Sequence, residues 1–552
     1  MAGIILAREH DDNPGIAWDG GVLTHREAVA LAAQRGAWLK SVRQPGRPFH
    51  VGILADNSVD YLLWLEATAL VGAVLVGGNT THRGEELARD LSHTECQILL
   101  VAEQYFALVD GHDLGDAIGT VSRDNPRVVV MESSEEAVLL EPFAGVSASD
   151  VVDPDITPGT LGYLIFTSGT SGAPKAVKCS QGRMAGVANV LPLMFSLTSD
   201  DVFYCAMPLF HSNALMANWG AYLVAGATQV IPTSGGRFSA SGFLPDVRRF
   251  GVTYFNYVGK PLSYILATPE QPDDADNPLR QCFGNEAAID DIEKFARRFG
   301  CLVTDGYGSS EGGANVSRTP DSPPGSLGRA PEGTVVLNPE TGEECPPARF
   351  DDNGVLLNAD ECIGEMVSKP GGQTFEGYWR NDDASRDRLK NGWYWTGDLA
   401  YRDEQGFFYF AGRNSDWLRV DGENFAAAPV EQVLGRNANI VLAAVYAVPD
   451  EHVGDQVMAA IELAGEAFDP DEFAAFLASQ EDLGTKWAPK YVRVTRDLPK
   501  TATSKVLKQS LRTERWNCDD VVYWRRGKEL AYELLGDEDR AALNEATKDR
   551  LI

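Results

Sequence analysis

The sequence predicts an α/β protein in which a large N-terminal region of layered sheets, carrying a small β-rich subdomain, is followed by a small α+β C-terminal region. Three observations point there. Apolar strand-like runs alternate with helix-like runs through the first half of the chain, tight turns and aromatics crowd residues 354–410, and a βαβ-like pattern follows Arg413.

The alternation begins with a buried strand over 49–55, a helix over 61–71, a strand over 73–77, a helix over 84–92 and a strand over 98–102. It resumes with 183–194 helical, 201–206 extended, 215–224 helical and 228–231 extended, and 247–250 leads into a strand over 253–258. Elements taken in turn like this build layered parallel sheets. In the turn-rich stretch, Asn391-Gly392 and Asp403-Glu-Gln-Gly406 punctuate short strands. Beyond it, strands are expected over 439–448, 456–463 and 491–494 with a helix over 470–480, which places a domain boundary near Asn414-Ser415.

Asp and Glu outnumber Lys and Arg by 79 to 48, a formal net charge of −31. That balance argues against a broad basic surface for nucleic acid or anionic lipid. A phosphate site in such a chain must be a local concentration of backbone N–H groups and a few placed cations. The eight cysteines form no C-x-x-C pair and no Cys/His cluster at zinc spacing, which fits a reducing cytoplasm. The first residues lack the pattern of a signal peptide. Residues 67–78 are apolar but too short to cross a bilayer, so no integral membrane segment is expected and peripheral contact is left open.

The most informative stretch is Tyr163-Leu-Ile-Phe-Thr-Ser-Gly-Thr-Ser-Gly-Ala-Pro-Lys175, an apolar strand running into glycines, hydroxyls and one lysine. Gly169 and Gly172 let the backbone approach an anion closely, Thr167, Ser168, Thr170 and Ser171 add hydroxyl donors, and Lys175 adds charge. It is not a Walker A loop, because two residues rather than four separate the glycines and Ala-Pro precedes the lysine. Alone, such a loop also reads as a flexible surface turn.

Four further segments follow in order. Leu302-Val-Thr-Asp-Gly-Tyr-Gly-Ser-Ser-Glu311 ends an apolar strand with a hard oxygen ligand for Mg²⁺ in Glu311, a phosphate hydrogen bond from Ser310 and a flat face for a base in Tyr307. Asp398 in Tyr394-Trp-Thr-Gly-Asp-Leu399 is placed to accept both hydroxyls of a ribose, or to cap its own turn. Arg413 offers a second ribose or phosphate partner and Gly422 a close-approach position, while Lys505 follows a polar turn late in the chain. Each taken singly also has an ordinary structural reading as a strand-end turn or a solvated charge.

Together and in this order, the five segments resemble the adenylate-forming superfamily of acyl-CoA synthetases, luciferases and peptide-synthetase adenylation domains, over nearly the whole chain. Tyr257-Val-Gly-Lys-Pro-Leu-Ser-Tyr264, Phe283-Gly-Asn-Glu286 and Arg419-Val-Asp-Gly-Glu-Asn-Phe425 resemble the fatty acid transport protein and very-long-chain acyl-CoA synthetase branch, with bacterial fatty-acid CoA ligases as the nearest image. Three positions depart from the pattern. Ala176 and Ser504 stand where glycine is common, and Ser310 where threonine is usual.

The resemblance implies a large adenylation domain over 1–414 and a small mobile domain over 415–552, hinged at Ser415. It implies ATP and Mg²⁺, with CoA as co-substrate. The loop from Thr167 to Lys175 would hold the β- and γ-phosphates, and Glu311 the metal. Gly284, Asn285 and Glu286 with Asp305, Gly306 and Tyr307 would enclose the adenine, and Asp398 and Arg413 would fix the ribose. Lys505 would lie between the attacking carboxylate and the α-phosphate, and Gly422 would leave room for the pantetheine arm. His211 sits where amino-acid-activating relatives carry an aspartate and resembles the gate of the acyl pocket, though a structural histidine reads the same way. Gly308 replaces the indole that shuts the pocket of acetate enzymes. The implied substrate is a medium to very long fatty acid or a similarly apolar acid, a steroid side-chain carboxylate included. Two alternatives share these residues: delivery of the acyl group to a carrier-protein thiol, and a fatty-acid uptake or binding protein with vestigial catalysis.

Overall fold

Strands stand at each position where the alternation predicts one, and most neighbours pair in parallel because a helix returns the chain between them. In the computed structural model, one sheet runs in the order Val128–Met131, Ile98–Ala102, His50–Leu54, Val74–Gly77, Leu161–Phe166, Ala176–Ser180, parallel except for the last pair. A second runs Leu302–Gly308, Gln281–Asn285, Tyr254–Val258, Val202–Tyr204, Thr228–Val230, Pro14–Trp18, Gly21–Thr24, parallel except for its closing hairpin. Both belong to a unit formed by Met1–Gly312 with Gln373–Asp387, and a second unit comprises Gly313–Gly372 with Arg388–Ile552. The structure describes residues 1–82, 84–167, 175–287, 289–319, 321–351, 356–413, 417–420, 423–450, 454–465, 467–480, 483, 486–500, 506–527 and 529–547.

In the first unit, helix Val59–Leu70 is apolar almost all round and is buried along nearly its whole length, as such a helix must be. Ser58 starts it by accepting the Tyr61 N–H at 3.1 Å. Near its C-terminal end it carries a carboxylate, Glu66, fully buried and hydrogen-bonded from the Tyr222 hydroxyl at 3.0 Å. Burial raises the Glu66 pKa to about 7, and the Tyr222 bond only partly opposes the rise. The alternation said nothing of residues 1–48. There, a hairpin leads into helix His25–Val42, opened by a capping box between Thr24 and Glu27 whose T-x-x-E spacing stands in the sequence.

Residues 247–250, which lead into the strand as expected, are the last turn of a longer helix, Ala240–Phe250, begun by Ser239. One segment differs from expectation. The run expected to be one helix over 215–224 is π-helical over Ala214–Trp219 before it becomes α-helical over Gly220–Ala225.

The second unit opens with an antiparallel sheet of Thr334–Leu337, Gly364–Ser368, Trp393–Arg402 and Phe408–Arg413, the β-rich subdomain that the turns announced. Its C-terminal part carries Ile440–Asp450 antiparallel to Gly454–Leu463, which in turn pairs in parallel with Tyr491–Thr495 across helix Pro470–Ala478. That is the βαβ connection read from the sequence. Asp469 caps the helix by accepting two backbone N–H groups, and proline occupies its first turn. No helix among the described residues is long and apolar enough to cross a membrane.

Because the folded pKa of Glu66 lies above that of an unfolded glutamate, the native state holds a proton that the unfolded chain has released. Its contribution to stability is therefore present below the unfolded value and is lost as pH rises toward 7, by on the order of 3 kcal/mol. Thermal denaturation followed from pH 5 to pH 8 is expected to give a smaller fall in Tm for Glu66→Gln than for the wild type, with the two proteins diverging at the alkaline end.

Candidate active site

The lysine loop joins two antiparallel partners. Phe166 faces Ala176 in register, and the Thr167 N–H donates to the Lys175 carbonyl at 3.1 Å. The described residues on either side of the loop are therefore paired antiparallel up to Thr167 and from Lys175 onward. Thr167 and Lys175 face each other at its base, both half-buried. Ser168, Gly169, Thr170, Ser171 and Gly172 lie outside the described residues.

The carboxyl ends of three parallel strands supply the next group. Their register aligns Tyr257 with Gly284 and Gly284 with Asp305, then Val258 with Asn285 and Asn285 with Gly306. The Tyr257 hydroxyl donates to Asp305 Oδ2 at 2.9 Å, and the Ala287 N–H reaches the same oxygen at 3.2 Å. Between them Gly284 must be glycine, because a Cβ there would stand 2.4 Å from the Tyr257 ring. Asn285 Nδ2 donates to the Gly306 carbonyl at 2.7 Å and ties the two strand ends together. Glu286, the next residue, is exposed with φ of 68°, a left-handed backbone that a glutamate rarely adopts. Tyr307 is half-buried on the outermost of these three strands.

Glu311 follows that strand and is buried, with Oε1 accepting the Tyr378 hydroxyl at 3.0 Å. Tyr378 arrives there because residues 377–379 run back along Ala176–Ser180. The Lys178 N–H donates to the Gly377 carbonyl, the Trp379 N–H donates to the Ala176 carbonyl, and Tyr378 forms a bridge with Val177. One strand thus connects the lysine loop to the metal-ligand candidate. Ser310 shares a hydroxyl hydrogen bond of 2.7 Å with Ser212, and its carbonyl accepts from the Arg183 guanidinium. His211, beside Ser212, is half-buried with its ring 4.6 Å from that of Phe210. Gly308 is exposed, and no described residue lies within 4 Å of where its Cβ would be.

In the second unit, Asp398 and Arg413 are opposite one another on adjacent antiparallel strands. The turn before Asp398 is held twice. Thr396 Oγ1 accepts the Asp398 N–H at 3.0 Å, and Glu365 Oε1 accepts the Gly397 N–H at 2.7 Å. Gly397 has φ of 73°, as the turn requires. Burial raises the Glu365 pKa, and the Gly397 N–H opposes that rise. Ser415, Gly422, Ser504 and Lys505 lie outside the described residues.

Among the described residues no group of three or more His, Cys, Asp or Glu side chains is placed to hold a metal. The donor set fits Mg²⁺ nonetheless, because that ion is commonly held by one or two carboxylates, waters and substrate phosphates, and Glu311 is a buried carboxylate oriented by Tyr378. Sequence reasoning missed Tyr378, Ser212, Arg183 and Tyr257. A hydroxyl beside His211 and an aromatic pair in Glu376-Gly-Tyr-Trp379 were the signals at hand, but only chain return brings them to Ser310 and Glu311.

Comparison with known proteins follows the same outline. Residues 6–379 match the AMP-binding enzyme family, and residues 429–505 match the AMP-binding enzyme C-terminal domain. The chain is 48% identical to steroid-22-oyl-CoA synthetase of Rhodococcus jostii (strain RHA1), over 99% of this chain and 96% of that one. It is 45% identical to medium/long-chain-fatty-acid–CoA ligase FadD17 of Mycobacterium tuberculosis, over 94% of this chain and 97% of that protein. Human long-chain fatty acid transport protein 5 is 29% identical, over 94% of this chain and 78% of its own length. ATP-bound MatB from Rhodopseudomonas palustris shares the fold with a TM-score of 0.78 at 24% identity, covering 93% of this chain and 99% of that structure. Motifs, fold and full-length similarity agree, and the chain belongs to the AMP-binding enzyme family as an AMP-forming acyl-CoA synthetase, an acid-thiol ligase.

Proposed function

We propose that this enzyme activates an apolar carboxylic acid, with a steroid side-chain acid as the leading candidate, to its acyl-AMP and then passes the acyl group to CoA. The observation that carries the reading is the 48% identity, along almost the entire chain, with a steroid-22-oyl-CoA synthetase. Gly308 supports it through the family resemblance, since a glycine in place of the indole that shuts the acetate enzymes' pocket leaves depth for a large apolar group. A medium- or long-chain fatty acid is the second reading, favoured by the 45% identity to a fatty-acid–CoA ligase.

In this reading residues 1–414 form the adenylation domain and 415–552 the small domain that carries Lys505. Thr167, Lys175 and the loop between them bind the β- and γ-phosphates. Asp305 acts through its bond to Tyr257, keeping the strand ends that flank the adenine in register, with Tyr307 offering its ring. Glu311 and the phosphates would hold Mg²⁺, which when bound offsets phosphate charge. Tyr378 orients Glu311, and Ser310, steadied by Ser212, donates to phosphate. Asp398 and Arg413, neighbours across two strands, take the ribose. The acid attacks the α-phosphorus, the bond to the bridging oxygen breaks, and pyrophosphate leaves. Lys505 counters the repulsion between the two anions as they meet. The CoA thiolate then attacks the acyl carbon and AMP departs.

Pyrophosphate release measured with ATP and a panel of acids, with and without CoA, tests the whole reading. Turnover is expected with a steroid side-chain acid, with thioester formed only when CoA is present. Silence with every apolar acid would sink the proposal, and acyl-AMP made without transfer to CoA would point to a carrier-protein acceptor.

Lys505→Ala is expected to slow adenylate formation by about 100-fold or more while leaving thioester formation from supplied acyl-AMP within a few-fold of wild type. Equal loss of both half-reactions removes the role given to Lys505. Gly308→Trp fills open space without forcing the backbone, and should lower kcat/KM for the bulky acid by at least about tenfold with the KM for ATP unchanged. Unaltered acid kinetics in that variant would place the acyl group elsewhere.

A further inference from the structure

The helix that follows His211 changes its winding. Ala214–Trp219 is π-helical, and the Gly220 N–H reaches back five residues to the Leu215 carbonyl. π-turns are rare and concentrate at functional sites, so this one needs a cause. The cause lies on the neighbouring strand Tyr254–Val258, in the fully buried amide of Asn256. Asn256 Nδ2 donates to Asn213 Oδ1 at 2.6 Å, and Asn256 Oδ1 accepts from Asn218 Nδ2 at 2.7 Å.

Asn213 and Asn218 are five residues apart. In α-winding, positions with that spacing lie about 140° apart around the axis, too far for one amide to reach both. The wider turn brings them to the same side. The clamp is not simply the best way to fill a core. Asn218 also donates to the Tyr204 carbonyl at 3.1 Å, yet its buried Oδ1 has no hydrogen-bond partner among the described residues. An orphaned buried acceptor is unfavourable, and an apolar residue at these positions would avoid it.

Both ends of the segment are fixed independently. Before it, Ser212 is hydrogen-bonded to Ser310 at 2.7 Å. After it, Gly220 lets helix Gln181–Phe195 come close, since a Cβ there would stand 2.8 Å from the Ala188 methyl. With the ends held, the clamp decides how the residues between are rotated. Asn213 and Met216 are the half-buried ones, whereas Ala214, Leu215, Ala217, Asn218 and Trp219 are buried.

From this we infer that Asn256 is a positioning residue for acyl selection: it locks the Ala214–Trp219 turn in π-winding and so sets the wall that Asn213 and Met216 present to the acyl group beyond His211. The inference rests on the acyl-CoA synthetase reading above. Losing the clamp lets the segment fall back to α-winding, which turns Met216 relative to Gly220.

The test is kinetics of pyrophosphate release by Asn256→Leu, which matches the amide in size and removes both hydrogen bonds, and by Asn256→Asp, which keeps only the acceptor for Asn218. ATP is varied against a steroid side-chain acid and straight-chain acids of graded length. For Asn256→Leu, the ratio of kcat/KM between ring-bearing and straight-chain acids should shift by about tenfold or more while the KM for ATP stays within about twofold, and Asn256→Asp should fall between. A folded Asn256→Leu enzyme with unchanged acid ratio overturns the inference. If that variant fails to fold, Asn213→Ala and Asn218→Ala, each removing one arm of the clamp, read the same ratio, and no shift in either overturns it as well. A wild-type enzyme inactive on every acid would overturn the parent reading and this one with it, an outcome distinct from an active wild type whose variants keep its selectivity.

Discussion

The parallel register of Tyr254–Val258, Gln281–Asn285 and Leu302–Gly308 is the constraint on which the site depends. It aligns Tyr257, Gly284 and Asp305 across three strands, so the phenol passes over a glycine to reach the carboxylate two strands away. A slip by one residue would set a side chain against the ring and turn Asp305 to the other face. The carboxyl ends of parallel strands are where open α/β sheets bind ligands, since the chain leaves the sheet there and loops can close around a guest. Asn285 and Gly306, tied by a side-chain amide, end two of these strands together.

An acidic protein that handles a polyphosphate must keep its own carboxylates from repelling the substrate. Here two of the carboxylates in the strand-end region are engaged by tyrosines, Asp305 by Tyr257 and Glu311 by Tyr378. Hydrogen bonds to a carboxylate orient its lone pairs. Glu311, the proposed metal ligand, is thereby held in one orientation by Tyr378, and Asp305 ties the strand ends through Tyr257. The same logic recurs in the second unit, where Glu365 holds the Gly397 N–H and with it the turn that carries Asp398. Buried acid chemistry in this protein is thus mostly positional.

Polar groups also shape the interior where apolar packing alone would leave it uniform. Three asparagines and one π-turn occupy a region otherwise built from Leu215, Trp219, Tyr254 and Phe255. Buried amides are specific where leucines are permissive, because a hydrogen bond has a direction and dispersion contacts have little. Directional contacts of this kind let a common fold present different walls to different acids.

Much was legible from the chain alone. The alternation of apolar runs located three strands of each sheet, Asn391-Gly392 and its neighbours announced the β-rich subdomain, and five ordered motifs identified the family, because each depends on residues close in sequence whose chemistry follows from their type. The capping box at Thr24 and Glu27 was equally local. Tertiary structure alone decided that Tyr378 reaches Glu311, that Ser212 meets Ser310, that Gly284 makes way for a ring, and that a run with ordinary helical periodicity winds as a π-turn against Asn256. Those pairings join residues 27 to 98 positions apart. Periodicity reports which face of an element is buried, while the partner it finds there is set by strand register and chain return, and these exist only once the sheets have assembled.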